Sequence, residues 1–146
     1  MHTATSIVIR AQPGDIYEVA ASVECWPDLL PHYRYVRVAA QESKGCRLVE
    51  MAAQRNGIPV HWWAEQTLYP DEPRITFRHV RGVTSGMDVE WSFRPTADGT
   101  VVLLSHDFHP NWPFGALIAD RLIGPFFVEN IAGKTLHRIK ELVERS

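Results

Sequence analysis

The chain has 146 residues, of which 45% are hydrophobic and 22% are charged, as is typical of one folded domain with a buried core. Its formal net charge of −2 and its lack of a lysine or arginine run disfavour a nucleic-acid partner. Cys25 and Cys46 have no zinc-ligand spacing, and residues 1–20 contain no apolar secretory segment, so we expect a cytoplasmic protein. The apolar runs are too short to span a bilayer. We therefore expect a single domain over residues 1–146.

The N-terminal part of the chain predicts one strand followed by two short helices. Residues 4–10 are rich in β-branched side chains, which favour a strand. Pro13 suits the first turn of a helix, and the apolar residues after it repeat at helical spacing as far as Val23. A second short helix is predicted over residues 22–30, because a proline follows directly and ends it.

The middle of the chain predicts six further strands. Short turn signals separate them, and Asn56-Gly57 is typical of a two-residue hairpin, so we expect an antiparallel meander. In one strand Met87, Val89, Trp91 and Phe93 alternate with polar residues, which predicts one buried and one solvated face. The predicted strands are 33–40, 46–54, 60–68, 74–80, 87–94 and 101–108.

From Phe114 to the end of the chain the apolar period becomes helical. A curved sheet cannot bury its inner face alone, so we expect this long helix to cover the concave face and to leave a pocket beneath it. The predicted fold class is α+β: a curved antiparallel sheet of about seven strands around one long C-terminal helix, with two short helices between strands 1 and 2. The apolar stripe of that helix consists of Val128, Ile131, Ala132, Thr135, Ile139, Leu142 and Val143.

Tryptophans and histidines are the residues that could give such a pocket its chemistry. Of the five tryptophans, Trp63 and Trp91 fit core packing and the lining of a pocket for a ring-rich ligand about equally well. Trp62, on the opposite strand face from Trp63, is predicted to lie at the surface or in an interface. His79 and His106 are explained more simply as hydrogen-bonded structural residues than as acid–base groups aimed into the pocket.

No motif in the sequence predicts a metal site, a nucleotide site or covalent catalysis. The seven histidines do not form a metal-binding spacing such as HExxH. The sequence also lacks the GxGxxG and Walker loops that hold phosphates and the GxSxG turn that presents a nucleophilic serine. We therefore expect neither a metal ion nor any other cofactor.

One segment resembles a known protein family. Trp26-Pro27-Asp28-Leu29-Leu30-Pro31-His32-Tyr33 resembles the polyketide cyclase/dehydrase family. That family belongs to the helix-grip superfamily, which also contains the START lipid-transfer proteins and the birch-pollen-allergen-like proteins. The resemblance extends over nearly the whole chain and is greatest to the tetracenomycin-type aromatase/cyclases. It implies a cofactor-free enzyme that cyclises and dehydrates a polyketide in an internal pocket, with an acyl carrier protein as an optional partner.

The resemblance also implies which residues are catalytic. Tyr33 matches a tyrosine that is implicated in catalysis in those enzymes. The position of their arginine falls on or near Thr67, so we expect Arg81 or Arg78, on the next strand, to supply the cation instead. Without an arginine at Thr67, Tyr33, His79, His106 and Glu65 are the polar candidates for the pocket, and Tyr33, His79 and Arg81 are the predicted catalytic residues.

The ligand-binding residues are predicted from the same resemblance. It implies that the strand face bearing His61, Trp63, Glu65 and Thr67 is the inner one. The expected ligand is a polyketide, an aromatic compound or a lipid-like small molecule. The predicted contacts are Trp26, Leu30, Trp63, Glu65, Thr67, Met87, Trp91, His106 and Phe108.

Two alternatives to an enzyme remain open from the sequence. One is a non-catalytic carrier or binding protein for a quinone, a lipid or another apolar metabolite. The other, weaker alternative is a stress-related or toxin-type interaction protein with a vestigial pocket. A cation and a general base beside Tyr33 would favour the enzyme, and a wholly apolar pocket would favour the carrier. The sequence leaves the identity of the ligand undecided, as well as the choice between a monomer and a homodimer.

Overall fold

The structure is a computed structural model that describes residues 1–55, 57–82, 84–109 and 130–145. Seven strands form one antiparallel sheet, in which β1 pairs with β7 and every other pair joins strands adjacent in sequence. The predicted meander is therefore confirmed. The strands are β1 (His2–Ile9), β2 (Tyr33–Ser43), β3 (Cys46–Arg55), β4 (Ile58–Tyr69), β5 (Arg74–Arg81), β6 (Met87–Thr96) and β7 (Gly99–Phe108).

Short helical segments link β1 to β2. They are α1 (Pro13–Ala21), a 3₁₀ turn (Val23–Cys25) and α2 (Trp26–Leu29). The two predicted short helices are thus present, with the second divided between the 3₁₀ turn and α2. The C-terminal helix α3 (Gly133–Glu144) follows β7, and the part of the predicted helix before residue 130 lies outside the described residues. None of the described helices is long and apolar enough to cross a membrane.

The inner face of the sheet and one side of α3 form the core. Leu136 and Ile139 of α3 are fully buried, and each such side chain contributes about 1.5–3 kcal/mol through the area it removes from water. On β6 the predicted alternation is confirmed, since Met87, Val89, Trp91 and Phe93 are all buried.

Polar contacts fix α3 at its edges. The Arg138 guanidinium donates a hydrogen bond of 3.0 Å to the carbonyl oxygen of Leu29, the last residue of α2. Nearby on the same helix, the Lys140 ammonium donates to the carbonyl oxygen of Val8 at 2.8 Å. These two contacts tie the helix to α2 on one side and to the edge strand β1 on the other.

Arg47, on β3, holds the end of α1 and the 3₁₀ turn against the sheet. Its guanidinium donates to the carbonyl oxygen of Ala21 at 3.0 Å, to the carboxylate of Glu24 at 2.6 Å and to the side-chain oxygen of Gln66 at 2.6 Å. Gln66 is fully buried on β4 and donates to the same Ala21 oxygen at 3.0 Å. The hydrogen bond from Arg47 also lowers the pKa of the Glu24 carboxyl. The buried Gln66 amide thus has a hydrogen-bond partner for its oxygen and another for its nitrogen, as a low-dielectric site requires.

Arg47→Met tests this network, because methionine keeps much of the apolar stem and removes every donor. The buried Gln66 oxygen then loses its partner, so we expect the free energy of unfolding to fall by about 1–3 kcal/mol. Urea denaturation followed by circular dichroism measures the change.

Arg37→Met is the matched control, since the Arg37 side chain on β2 is 65% exposed. For that variant we expect a change within about 0.5 kcal/mol. Equal losses of stability in the two variants would contradict the structural role assigned to Arg47.

Candidate functional site

A small pocket lies on the inner face of the sheet, beneath α2 and the start of the C-terminal helical segment. Its volume is about 40 Å³, which is room for a few water molecules. A ring-rich ligand would therefore fit only if lining side chains moved apart. The described lining residues include no Asp, Glu, Lys or Arg. They are Trp26, Tyr33, Met51, Trp62, Phe77, His79, Val89, Trp91, Leu104, His106, Ile131, Ala132 and Thr135.

Aromatic rings form much of the pocket wall. The Trp26 ring centroid lies 5.1 Å from that of Tyr33 and 6.0 Å from that of Trp91. Trp62 lies 6.2 Å from Tyr33 on one side and stacks on His79 at 5.6 Å on the other, with the rings nearly parallel. Contacts of this kind prefer defined ring geometries, so they fix the polar rings as well as the apolar ones.

Tyr33 is the first residue of β2, where the chain leaves α2 and joins the sheet. A backbone hydrogen bond of 3.0 Å from its amide to the Leu30 carbonyl forms the turn that directs the ring inward. Burial raises the pKa of the phenol above its ordinary value, and a hydrogen bond with Thr135 opposes that rise in part. The phenol therefore keeps its proton at neutral pH.

Among the described lining residues, His79 on β5 and His106 on β7 are the titratable rings besides Tyr33, and both are buried. Burial lowers the pKa of His79 to about 3, with a smaller contribution from His106, and lowers the pKa of His106 to about 4. The Nδ1 atom of His79 lies 2.7 Å from the Thr84 hydroxyl oxygen. At pH 7 both rings are neutral, so each combines one N–H donor with one acceptor nitrogen.

The face of β4 that points to the inside of the sheet is the opposite of the predicted one. Trp62 and Gln66 are buried on the inner side, whereas Trp63 is half-buried on the outer side. There the guanidinium carbons of Arg37 and Arg81 lie 5.8 Å and 5.6 Å from the Trp63 ring centroid. The predictions that Trp63 lines the pocket and that Trp62 lies at the surface are wrong. The physical reason is strand alternation, which assigns these neighbours to opposite faces.

The arginines predicted to supply the cation lie on the outer face of the sheet, not in the inner pocket. Arg81 and Arg78 are exposed on β5, whose inner face carries Phe77 and His79. Glu65 and Thr67 line an outer groove together with Arg78. The expectation that Arg81, Glu65 and Thr67 face the inner pocket is therefore wrong, and their roles in catalysis and ligand binding stay untested predictions.

The structure brings together five residues predicted for the site, namely Trp26, Tyr33, His79, Trp91 and His106. Their functional roles stay predictions. Leu30, Met87 and Phe108 are fully buried in the surrounding core and are not among the described lining residues.

Sequence reasoning missed Met51 and Thr135 as well as Trp62. Thr135 had a recognisable signal, because it is the polar member of the apolar stripe on the C-terminal helix. Met51 alternates with Val49 and Ala53 along β3, so the same period-two pattern could have found it.

Among the described residues, Glu42, Cys46 and Glu65 each place one side-chain atom within 4.8 Å of the others. This group is separate from the residues that line the pocket. Exposed acidic groups commonly approach one another without a metal ion, so the expectation of a metal-free protein stays a prediction.

The buried histidines make stability dependent on pH. An unfolded histidine has a pKa of about 6.5, whereas His79 and His106 have values of about 3 and about 4 in the folded chain. The unfolded chain therefore binds more protons as the pH falls below about 6.5. We expect each of these histidines to lower the free energy of unfolding by up to about 1.4 kcal/mol per pH unit in this range. The loss of stability due to His106 continues down to about pH 4, where this histidine also becomes protonated in the folded chain.

His106→Leu should make this dependence shallower by the contribution of one histidine. Urea denaturation at a series of pH values between 7 and 5 measures the slope. His137→Ala on α3 is the control, because its side chain is exposed in the folded chain and its removal should leave the slope unchanged. A slope in His106→Leu equal to that of the wild type would contradict a neutral, buried His106.

Comparisons with known proteins find related sequences. Residues 9–133 match the family model described as "Polyketide cyclase / dehydrase and lipid transport". Over 101 residues, 68% of this chain, the sequence is 35% identical to the actinorhodin polyketide synthase bifunctional cyclase/dehydratase of Streptomyces coelicolor. The chain spans about a third of the length of that relative, 32%.

Solved structures share the fold. A protein from Thermus thermophilus superposes with a TM-score of 0.82 at 24% identity, over 98% of this chain and 97% of its own. An aromatase/cyclase from Streptomyces sp. R1128 superposes with a TM-score of 0.83 at 22% identity, over 99% of this chain and 94% of its own. The predicted helix-grip fold is thereby confirmed. Because the family model covers most of the chain, from the end of β1 to the start of α3, the chain belongs to the polyketide cyclase/dehydrase and lipid transport family.

Proposed function

We propose that this protein binds a polyketide-type ligand in its inner pocket and promotes aldol cyclisation and dehydration without a cofactor. One observation carries the proposal: the Tyr33 phenol and the neutral imidazoles of His79 and His106 line a single pocket that is otherwise mostly apolar and aromatic. The names of the Streptomyces coelicolor cyclase/dehydratase and of the Streptomyces aromatase/cyclase support the same reaction class.

Ring closure begins with an enolate. A methylene between two carbonyl groups enolises readily by passing its proton to an acceptor nitrogen of a pocket imidazole, and the alkoxide that ring closure forms takes that proton back. The pocket therefore needs to stabilise the enolate oxygen more than it needs a strong base. A neutral imidazole can donate its N–H to such an oxygen, and a water-excluding site makes that hydrogen bond stronger than it is in water. His79 and His106 are suited to this role because burial keeps both rings neutral.

Dehydration then needs a proton donor for the leaving hydroxyl. The carbon beside the carbonyl gives its proton to an acceptor nitrogen of a pocket imidazole, the bond between the neighbouring carbon and its hydroxyl oxygen breaks, the hydroxyl takes the phenolic proton of Tyr33, and water leaves. The imidazolium then returns its proton to the phenolate, so both groups end in their starting states. Burial raises the pKa of Tyr33, so the phenol stays protonated until a stronger base such as a departing hydroxide forms beside it. Arg47, Arg78 and Arg81 lie outside the described pocket lining, so this scheme assigns no step to an arginine.

A second candidate function is that of a non-catalytic carrier for a quinone, a lipid or another apolar metabolite. The observation in its favour is the lack of any charged side chain among the described pocket residues. The description of the family also includes lipid transport. Substitution of Tyr33 discriminates between the carrier and the enzyme.

We also propose that the substrate is delivered by an acyl carrier protein, that the chain is a single domain over residues 1–146 and that it acts in the cytoplasm. Its assembly as a monomer or a homodimer is part of the same proposal.

Comparing turnover of free and carrier-linked forms of one substrate tests the delivery step. Equal kcat/KM for the two forms would contradict it.

The adjacent tryptophans of β4 provide a matched test of the pocket. Trp62→Phe alters the pocket wall, whereas Trp63→Phe alters the outer face of the same strand. With a planar polycyclic phenol as the probe, we expect Trp62→Phe to weaken binding by about 1 kcal/mol or more through lost ring contact. Trp63→Phe should change the affinity by less than about 0.5 kcal/mol.

Fluorescence quenching and calorimetry with the same probe measure these affinities. Equal effects of the two substitutions would contradict the assignment of the inner pocket as the ligand site.

Tyr33→Phe tests the catalytic role directly, because it keeps the ring and removes the phenolic proton. Product formation should fall by about 10²-fold or more, the usual scale for a lost general acid. The affinity for the probe should change by less than about 1.4 kcal/mol, since the ring contacts persist. Equal turnover by Tyr33→Phe and the wild type would remove Tyr33 from the mechanism and favour the carrier.

A further inference from the structure

The indole of Trp26 lies over the middle of the concave face of the sheet. Its ring centroid is 5.1 Å from that of Tyr33 on β2. In the other direction it is 6.5 Å from the ring of Phe77 on β5 and 6.0 Å from that of Trp91 on β6. β2 and β6 are four strand spacings apart in the sheet order, which is about 19 Å along the sheet. One side chain, only 2% exposed, therefore bridges the hollow from one side to the other.

The space beside this indole is too small for one aromatic ring. The pocket has a volume of about 40 Å³, whereas an apolar cavity of about 150 Å³ holds one benzene molecule. An indole is larger than benzene, so the volume that the Trp26 side chain fills is itself enough for a ring of a ligand. A ring-bearing ligand therefore has to take the place of a side chain in this pocket.

Trp26 is the ring of the described lining that the backbone holds least. Every other aromatic or histidine ring among the described lining residues belongs to a strand, whose ladder of hydrogen bonds fixes its backbone. Trp26 is instead the first residue of α2, a helix of four residues outside the sheet. Its indole Nε1–H donates to the carbonyl oxygen of Val19 at 3.1 Å, at a position that is only partly buried. This indole can therefore move with less disturbance of the sheet than any other ring of the described lining.

A surface groove beside Trp26 could receive the displaced indole. The groove lies between α1 and α3, has a volume of about 980 Å³ and is lined in part by Val19, Leu29, Leu142 and Val143. Val19 provides the carbonyl oxygen that accepts the indole N–H, and Leu29 belongs to the same short helix as Trp26. An indole that leaves the pocket on this side meets apolar side chains, so much of its surface stays out of water.

We propose that the Trp26 indole and a flat ring of the ligand compete for one position in the pocket. This inference deepens the proposed function and rests on the inner pocket being the ligand site. The position is a slot between the rings of Tyr33, Phe77 and Trp91, which meet the indole edge-on or tilted. A flat aromatic ring that enters the slot recovers such contacts, whereas a puckered saturated ring does not. Trp26 thereby makes the pocket selective for ligands that carry a flat ring.

Truncation of Trp26 tests the competition by the sign of its effect, with 2-naphthol as the probe and calorimetry as the measurement. A site that is open in only a fraction of molecules has an apparent affinity reduced by that fraction, and minor conformations have populations of about 0.1–10%. We therefore expect Trp26→Ala to bind 2-naphthol about 10-fold or more tightly than the wild type. Trp62→Ala is the matched control, because it removes an equal indole from the wall of the same pocket. It should weaken binding by about fivefold or more.

The selectivity for a flat ring is tested with a matched pair of probes. Decahydro-2-naphthol has the carbon skeleton of 2-naphthol but is saturated and puckered, and it is at least as hydrophobic. We expect the wild type to bind 2-naphthol about 10-fold more tightly, because only the flat ring fits the slot. Equal or tighter binding of the saturated probe would overturn this selectivity.

An NMR measurement on the wild type follows the displacement without any substitution. The neighbouring rings of Trp26 and Tyr33 should give proton cross-peaks, as should the stacked rings of Trp62 and His79 at 5.6 Å. At saturation with 2-naphthol, we expect the cross-peaks between Trp26 and Tyr33 to be replaced by cross-peaks from the probe to Tyr33. The cross-peaks between Trp62 and His79 should persist, since that pair belongs to the fixed wall.

The outcomes separate the competition from the function on which it rests. If 2-naphthol does not bind the wild type, or binds without cross-peaks to Tyr33, the inner pocket is overturned as the ligand site, and the proposed function with it. If the probe contacts Tyr33 while the cross-peaks between Trp26 and Tyr33 persist, the competition alone is overturned. Binding by folded Trp26→Ala that is no tighter than that of the wild type would also overturn it. Urea denaturation verifies folding, and the wild-type cross-peaks decide the question if Trp26→Ala does not fold.

Discussion

The need to cover the inner face of the sheet governs the rest of this structure. A curved sheet with a continuous apolar face is stable only when another element removes that face from water. Here α3 does so through Leu136 and Ile139, and the contacts of Arg138 and Lys140 hold its edges. The space that remains beneath the helix is small and largely shielded from solvent, and the proposed chemistry depends on that shielding.

Exclusion of water acts on every titratable ring in the pocket in the same direction, towards its neutral form. The phenol of Tyr33 keeps its proton, and the imidazoles of His79 and His106 do not gain one. A pocket of this kind stabilises charge that develops during a reaction through oriented neutral donors, without a permanent ion. This explains how cyclase chemistry is compatible with a lining that lacks charged residues in the described part of the chain.

Much of the fold could be predicted from the sequence because the relevant signals are local. The turn residues and the alternation along β6 identify the strands, and the segment from Trp26 to Tyr33 identifies the entry to β2. The face of β4 could not be taken from the resemblance. Its inner side includes the polar residue Gln66, which is stabilised there by hydrogen bonds with Arg47 of the neighbouring strand and with the carbonyl oxygen of Ala21. A contact between strands leaves no mark in a local pattern.

The same limit applies to the site. Tyr33 was predicted, since its motif fixes its position, whereas Arg81 was misplaced because the transferred face of the sheet was wrong. Thr135 stood out as a polar residue in an apolar stripe, but its hydrogen-bond partner His32 is about a hundred positions away in the chain. Relations of this kind become visible only when the helix is placed on the sheet.

The paired indoles of β4 have a consequence for how the chain folds. A slip of one residue in the pairing of β4 exchanges the two faces of the strand, and it would replace Trp62 in the core with Trp63, an equal ring. Aromatic burial therefore does not distinguish the native pairing from its nearest competitor. The distinction comes from Glu65, because the slipped strand would bring a carboxylate into the core, which costs several kcal/mol. An acidic side chain on the outer face thus favours the native register of β4 during folding.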